Sequence, residues 1–341
     1  MQCKKFTGDH ILKSDKTRRT LIAGLLSFSM AFLAVITAGP VMAEGFPNKP
    51  IKFVVPFPPG SATDTSARYF AKKLSEMILQ PVIVDNKPGA NGFIAMRAVL
   101  TAPADGYTVL IGSNSPLAVN VALFKSLPYD PIADFSPLTM MVRAPAVLIV
   151  SGSSNYNTLA DLIAAAKAKP DELNYGYGSA GYRLMSELFN ESAKVQTHGI
   201  PFKSASEAVI AVVSGTVQLA FVEITSAQEL IKSGKLRALA LASTNSSPAL
   251  PSVLTAAEAG LPGFRAYVWV AAMVSSKTPK DETEKLATLM TKIENLPETR
   301  EFYERIGGEV MRGGPQEMRA FQNSEIELWK RIALKAKVEQ Q

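Results

Sequence analysis

Four short segments concentrate the small polar and charged residues that can hold an organic anion. The first, Pro56-Phe57-Pro58-Pro59-Gly60-Ser61-Ala62-Thr63-Asp64, leaves an apolar run and enters a helical pattern near 64–77. Free N–H groups at a helix start favour negative charge. Gly60 lets the backbone approach a ligand closely, Ser61 and Thr63 add hydroxyl donors, and Asp64 is placed to cap the helix and hold the loop. The second, Asp85-Asn86-Lys87-Pro88-Gly89-Ala90-Asn91-Gly92, also runs from strand to helix, with Asn91 as the expected N-cap. In the third, Gly112-Ser113-Asn114-Ser115, Ser113 and Asn114 suit a carboxylate or an ordered water. The fourth, Gly176-Tyr177-Gly178-Ser179-Ala180-Gly181-Tyr182-Arg183, joins a backbone cradle at Ser179, Ala180 and Gly181 to a guanidinium able to pair with a second carboxylate. Each segment taken alone is also readable as an ordinary turn, and Arg183 as a solvated residue of the first helical turn. The glycine spacing of the fourth does not fit a dinucleotide fingerprint.

Further candidates lie downstream. Lys203 is an alternative to Arg183 for a second carboxylate. Tyr177, Tyr182, Phe202 and Trp269 can stack on a flat ligand or simply pack. Glu223 follows an apolar run and suits an amine or hydroxyl of a ligand, or is only a helix-start acid before Thr225.

The residue inventory excludes other chemistries. The 341 residues include one Cys (Cys3) and two His (His10, His198). There is no disulfide framework, no Cys/His zinc set and no Cys–His nucleophile. A Ser-His-Asp triad would depend on His198, which reads as a surface or satisfied polar residue, and no G-x-S-x-G elbow is present. No metal and no cofactor site is expected.

Residues 1–20 carry Lys4, Lys5, Lys13, Lys16, Arg18 and Arg19, an apolar run follows over 21–38, and Pro40-Val41-Met42-Ala43 closes the segment. This order is that of a secretory signal peptide cleaved after Ala43, with an uncleaved anchor as the alternative. Thr17-Arg18-Arg19-Thr20-Leu21-Ile22 leaves the twin-arginine and general secretory routes both open. Cleavage removes six basic and two acidic residues, so 30 basic face 28 acidic in the remaining 298 and the net charge falls from +6 to +2. A charge of +2 provides no footprint for nucleic acid or anionic membrane.

Elements that would position these loops follow from the apolar pattern. Continuously apolar runs at 51–57, 82–84, 108–111, 146–150, 173–177, 217–222 and 236–241 suit strands covered on both faces. Capping-box starts at Thr158-x-x-Asp161, Ser204-x-x-Glu207, Thr225-x-x-Gln228 and Thr255-x-x-Glu258 stand between them. Gly215 and Gly234 suit helix ends, and Pro315 opens a long last helix to about Val338. The alternation is that of an α/β chain of about two domains, with mainly parallel sheets that bind ligands at the carboxyl ends of their strands.

Several motifs together resemble the substrate-binding receptors of the tripartite tricarboxylate transporter, or Bug, family. They are Phe46-Pro47-x-Lys49-Pro50-Ile51, Val55-Pro56-Phe57-x-Pro59-Gly60-x-x-x-Asp64, the segment from Val82 to Gly92, Ala104-Asp105-Gly106-Tyr107-Thr108, Tyr129-Asp130-Pro131-x-x-Asp134-Phe135 and Gly234-Lys235-Leu236-Arg237-Ala238-Leu239-Ala240. The resemblance spans nearly the whole mature chain. It implies a type II-like periplasmic-binding-protein fold: two α/β lobes around a ligand cleft, lobe one at 46–147 plus 272–341 and lobe two at 148–271, with crossings near 146–150 and 268–274. It implies a periplasmic, monomeric, non-enzymatic receptor that closes on a small organic acid and delivers it to membrane permease subunits. Carboxylate contacts carry over to Phe57, Pro59, Gly60, Thr63 and Asp64, and to Ser113, Asn114 and Ser179. The chain departs from the family at Ser61 (usually Gly), in the fourth loop (fewer glycines, no His near Arg183), at Phe202-Lys203-Ser204 (usually Tyr-Lys-Gly) and at Gln218 (commonly Asp). Alternatives of other classes are a ligand-sensing partner of a sensor kinase and, more remotely, an enzyme on the same fold. Arg183 favours a second anionic group on the ligand; Glu223 favours an amine.

Overall fold

The computed structural model describes residues 45–341. The export segment and its cleavage site therefore lie outside the described residues. Pro47–Gln341 forms a single compact unit.

β1 (Ile51–Val55) is buried at every position but Lys52, as its unbroken apolar run requires. It pairs in parallel with β2 (Val82–Asn86) and β3 (Thr108–Ser113). The crossovers are α1 (Ala62–Ile78) and, from β2 to β3, α2 (Phe93–Thr101). A short α3 (Asn120–Leu123) leads to β4 (Phe135–Ser151), whose 17 residues serve two groups of strands. From Phe135 to Pro145 it runs antiparallel to β9 (Tyr267–Ser275), which also pairs with β3. From Ala146 to Ser151 it lies between β7 (Leu219–Glu223) and β8 (Leu236–Leu241). β5 (Asn174–Tyr177) pairs in parallel with β6 (His198–Pro201) and β7. The two-residue β10 (Glu309–Val310) adds to β4.

The expected parallel pairing thus holds in the β1–β2–β3 and β5–β6–β7 groups, whereas β4 runs antiparallel to every partner. The first half of β4 and strand β9 were not among the expected strands. Pro137 and Pro145 read as breakers in sequence. In the structure the register slips between Pro137 and Thr139, the irregularity expected where a residue without an N–H enters a ladder.

Helix starts follow the capping signals in most places. Thr158 and Asp161 form a reciprocal capping box on α4 (Leu159–Ala168). Ser204 accepts from Glu207 N at the start of α6 (Ala205–Val213), which follows α5 (Ala180–Ala193). Thr225 is a correction: α7 (Ile224–Lys232) begins two residues earlier than that cap implies, with Glu223 as its N-cap, so Thr225 lies in the first turn. Thr255 and Glu258 do exchange box hydrogen bonds, but over a turn and not a helix. Asn91 is not the cap of α2 either; it holds a left-handed conformation (φ 52°) and Gly92 takes the N-cap. After α8 (Lys280–Glu294) and α9 (Pro297–Arg305), the last helix, α10 (Pro315–Lys335), ends three residues short of the expected limit.

Candidate functional site

The carboxyl ends of β1, β3, β5 and β7 meet around one cavity, the position that open α/β sheets offer to ligands. Phe57, Pro59, Ser61, Ala62 and Thr63 line it from the first loop, Ser113 and Asn114 from the third, and Ser179, Gly181 and Tyr182 from the fourth; Glu223 closes the ring. The cavity is narrow, about 40 Å³, room for a few water-sized centres.

The first loop is held from beneath. Ser61 Oγ accepts from Asp64 N at 3.2 Å. Asp64, 2% exposed, accepts from Gly60 N and Arg68 Nε (both 2.9 Å) and from Asn86 Nδ2 (2.8 Å), and that same amide donates to Phe57 O. Burial raises the Asp64 pKa, but the donors from Arg68, Gly60 and Asn86 outweigh it and hold the carboxyl below its ordinary value. Gly60 and Asp64 therefore shape the loop and do not line the cavity.

Three helices begin at the cavity wall: α1 at Ala62, α5 after Ser179 and α6 at Ala205. Their orphan N–H groups and aligned dipoles concentrate positive potential there. Asn114 strengthens it. Its side chain is 2% exposed, and Nδ2 has no hydrogen-bond partner among the described residues. A buried amide donor left unpaired costs about 1–3 kcal/mol, which an incoming acceptor would relieve.

An acid sits in the same wall, beside the start of α1. Glu223 is 3% exposed and no cation lies within ion-pair distance of it among the described residues. Its Oε1 accepts from Ser226 Oγ (2.9 Å) and, more weakly, from Ala62 N (3.4 Å), the first N–H of α1. Its Oε2 accepts from the Tyr182 hydroxyl, which in turn accepts from Glu223 N at 3.1 Å. Burial and the adjacent Glu223 carboxylate push the Tyr182 hydroxyl well above its ordinary pKa. Tyr182 is therefore a fixed donor to Glu223, and stacking on a ligand is not its geometry. Behind the wall, Ser115 Oγ accepts from Gly181 N (3.0 Å) and donates to Ser179 Oγ (3.2 Å).

Besides Gly60 and Asp64, five more expected residues are not brought to the cavity wall. Asn91 is exposed, and its carbonyl accepts from Asn120 Nδ2. Ala180 is buried under the start of α5. Arg183 is half-buried one turn into α5, where its charge acts on the Tyr175 hydroxyl. Phe202 packs over Gly176, and Lys203 is exposed with its backbone N–H on Glu207. In their place the α6 N-terminus supplies Ser204, Ala205 and Ser206, joined by Pro58, Gly178 and Val268. The Ser204-x-x-Glu207 box was the signal that could have identified this wall.

Gly178 permits the close approach of the α6 start. A Cβ there would lie 2.0 Å from Ser204 C and 2.2 Å from Ala205 N, both backbone atoms. Gly178→Ala is expected to lower the thermal midpoint by roughly 5 °C or more, as overpacking of about 2–3 kcal/mol implies. An unchanged midpoint in a thermal melt would show that α6 moves aside freely.

Helix starts and strand ends gathered on one cleft form the ligand-binding arrangement of an open α/β fold. The fold is that of periplasmic binding protein BugD (TM-score 0.80, 28% identity, 87% of this chain and 100% of that one). The chain belongs to the tripartite tricarboxylate transporter family of receptors, whose family model matches residues 66–338. Protein BugT of Bordetella pertussis is 36% identical over 299 residues, 86% of this chain and 90% of its own. The solved structure of R. palustris Rpa4515 with adipate has a TM-score of 0.84 and 32% identity, covering 87% of this chain and 100% of its own.

Proposed function

We propose that the chain is a periplasmic receptor that captures a small organic carboxylate in this cleft and hands it to the permease subunits of a tripartite transporter. The unpartnered Asn114 amide, set among the starts of α1, α5 and α6, is the observation that carries this reading. Ser61, Thr63, Ser113, Ser179, Ser204 and Ser206 complete the donor set. The adipate held by the R. palustris relative supports the ligand class. The mature form starts after Ala43 and acts as a monomer.

The change of β4 partners at Pro145/Ala146 supports a first lobe of 46–147 plus 272–341 and a second of 148–271. The pairing of Tyr267–Ala271 with β4, and of Val270 and Ala271 with β3, supports a second crossing a few residues earlier. A ligand of several carbons enters when the lobes part, and closure places it in a water-poor cleft where each hydrogen bond strengthens.

Residues 44–341 screened by thermal shift against adipate and other mono- and dicarboxylates test the reading. A ligand at about a thousand times its Kd adds about 4 kcal/mol and moves the midpoint by several degrees. A hit that Asn114→Leu abolishes while the fold persists is the expected result. A screen that stays silent even after unfolding and refolding, which strips any carried ligand, overturns it.

A further inference from the structure

The two tryptophans of the chain, Trp269 and Trp329, meet on the far side of β9 from the cleft. Strand alternation separates the two faces: Val268 lines the cleft cavity, while Tyr267 and Trp269 line another. There both indole N–H groups donate to one carboxylate oxygen, Glu325 Oε2, at 2.7 and 3.0 Å. This arrangement fixes the rings of β9 and α10 against each other, and Trp269 packs edge-on to Phe321.

The cavity beside them has a volume of about 340 Å³, within the usual range for small-molecule sites. Its walls are apolar and largely aromatic, from Tyr267, Phe321, Leu188, Leu328 and Ile332 along with the tryptophan edges. Its rim is cationic. Arg143 is bound to Glu309 and lies over the Tyr267 ring, and Lys335 pairs with Glu191 at 3.2 Å. Arg265 and Arg331 are exposed, and neither has an acid within ion-pair distance among the described residues. Glu325, in the same lining, engages Oε2 with the two indole donors, and burial raises its pKa against them.

We propose that this second cavity binds an aromatic carboxylate, its ring against the aromatic walls and its carboxylate on the guanidinium groups of Arg265 and Arg331. Arginine forks match carboxylates in shape as well as charge, and flat apolar walls favour a ring over a flexible chain. Two free cations beside an apolar pocket suit a small anion and fall far short of a polyanion surface. The site touches the connection between the strand groups: Ala266, in its lining, donates to Ala242 O (3.0 Å) and accepts from Ala146 N (2.9 Å).

Because both tryptophans line this cavity, their emission reads it directly. The mature protein is titrated with terephthalate, with excitation at 295 nm. A saturable emission change with a sub-millimolar midpoint is expected, weakening at least tenfold in the Arg265→Ala/Arg331→Ala double variant. That variant keeps its thermal shift with a cleft ligand. Asn114→Leu, which disables the cleft, leaves the terephthalate titration unchanged. Absence of a saturable change, an unaltered midpoint in the double variant, or loss of the signal in Asn114→Leu each overturns the proposal. The last outcome assigns the signal to the cleft, and none of the three bears on whether the cleft itself takes a carboxylate.

Discussion

Glu223→Gln is expected to reverse the cleft's preference between two ligands of equal length, 6-aminohexanoate and adipate. One end of each is a carboxylate, and Asn114 with the starts of α5 and α6 provides for it. The other end meets Glu223, a buried carboxylate with three donors and, among the described residues, no cation within ion-pair distance. Leaving such a charge uncompensated is costly, and an ammonium placed beside it relieves that cost. A second carboxylate there meets like charge instead. Removing one member of a buried charged pair typically costs 2–5 kcal/mol. The ratio of Kd for adipate to Kd for 6-aminohexanoate should therefore fall at least a hundredfold in the variant, about 2.7 kcal/mol. Isothermal titration of both ligands against both proteins measures it. A ratio within threefold of the parent would show that Glu223 does not face the ligand and serves only to fix Tyr182 and the α1 start.

What the sequence made visible were the places where backbone chemistry alone decides the structure. The first loop is one: an unbroken apolar strand ending in Pro/Gly before a helical pattern leaves few ways to turn, although Ser61 and not the expected Asp64 is the N-cap of α1, and Asp64 in the first turn holds the loop through Gly60 N. Glu223 is another, because the residue after a buried strand in an α/β sheet stands at the ligand edge. Side-chain direction was not visible. Gly181 and Tyr182 reach the cavity while Arg183, the next residue, turns away, since successive helical residues are about 100° apart and the phase of α5 follows from how it packs. Lys203 likewise stops short of the wall made by Ser204 and Ala205, the residues at the helix start. β4 was half hidden for a different reason: tertiary pairing with β9 carries the chain through Pro137 and Pro145, where local propensity predicts a break. Nothing local identified Asn114 as unpartnered, because that depends on every neighbour it lacks.

The stability of the protein should carry a pH dependence traceable to one residue remote from the cleft. Glu294, the last residue of α8, is 3% exposed and packs against β4, where the Thr139 hydroxyl donates to it. Burial pushes its carboxyl up to about 8, and the Thr139 hydrogen bond only partly opposes the rise. The folded chain thus keeps a proton that the unfolded chain releases near the ordinary glutamate value of about 4.3. Below that value both states are protonated, so Glu294 imposes no ionisation penalty. Between it and about 8 the unfolded state binds fewer protons, so stability falls as pH rises, by at most about 1.4 kcal/mol per unit. Above about 8 both states are ionised and the full cost remains. Glu294→Gln keeps the shape and the acceptor for Thr139 without the ionisation. The variant should match the parent near pH 4 and exceed it by several kcal/mol at pH 8.5, a rise in midpoint of roughly 10 °C. Paired urea or thermal unfolding at the two pH values isolates the effect, because all other titrating groups are common to both proteins. Parallel pH profiles would mean that water or backbone motion reaches Glu294 and lets it ionise without cost.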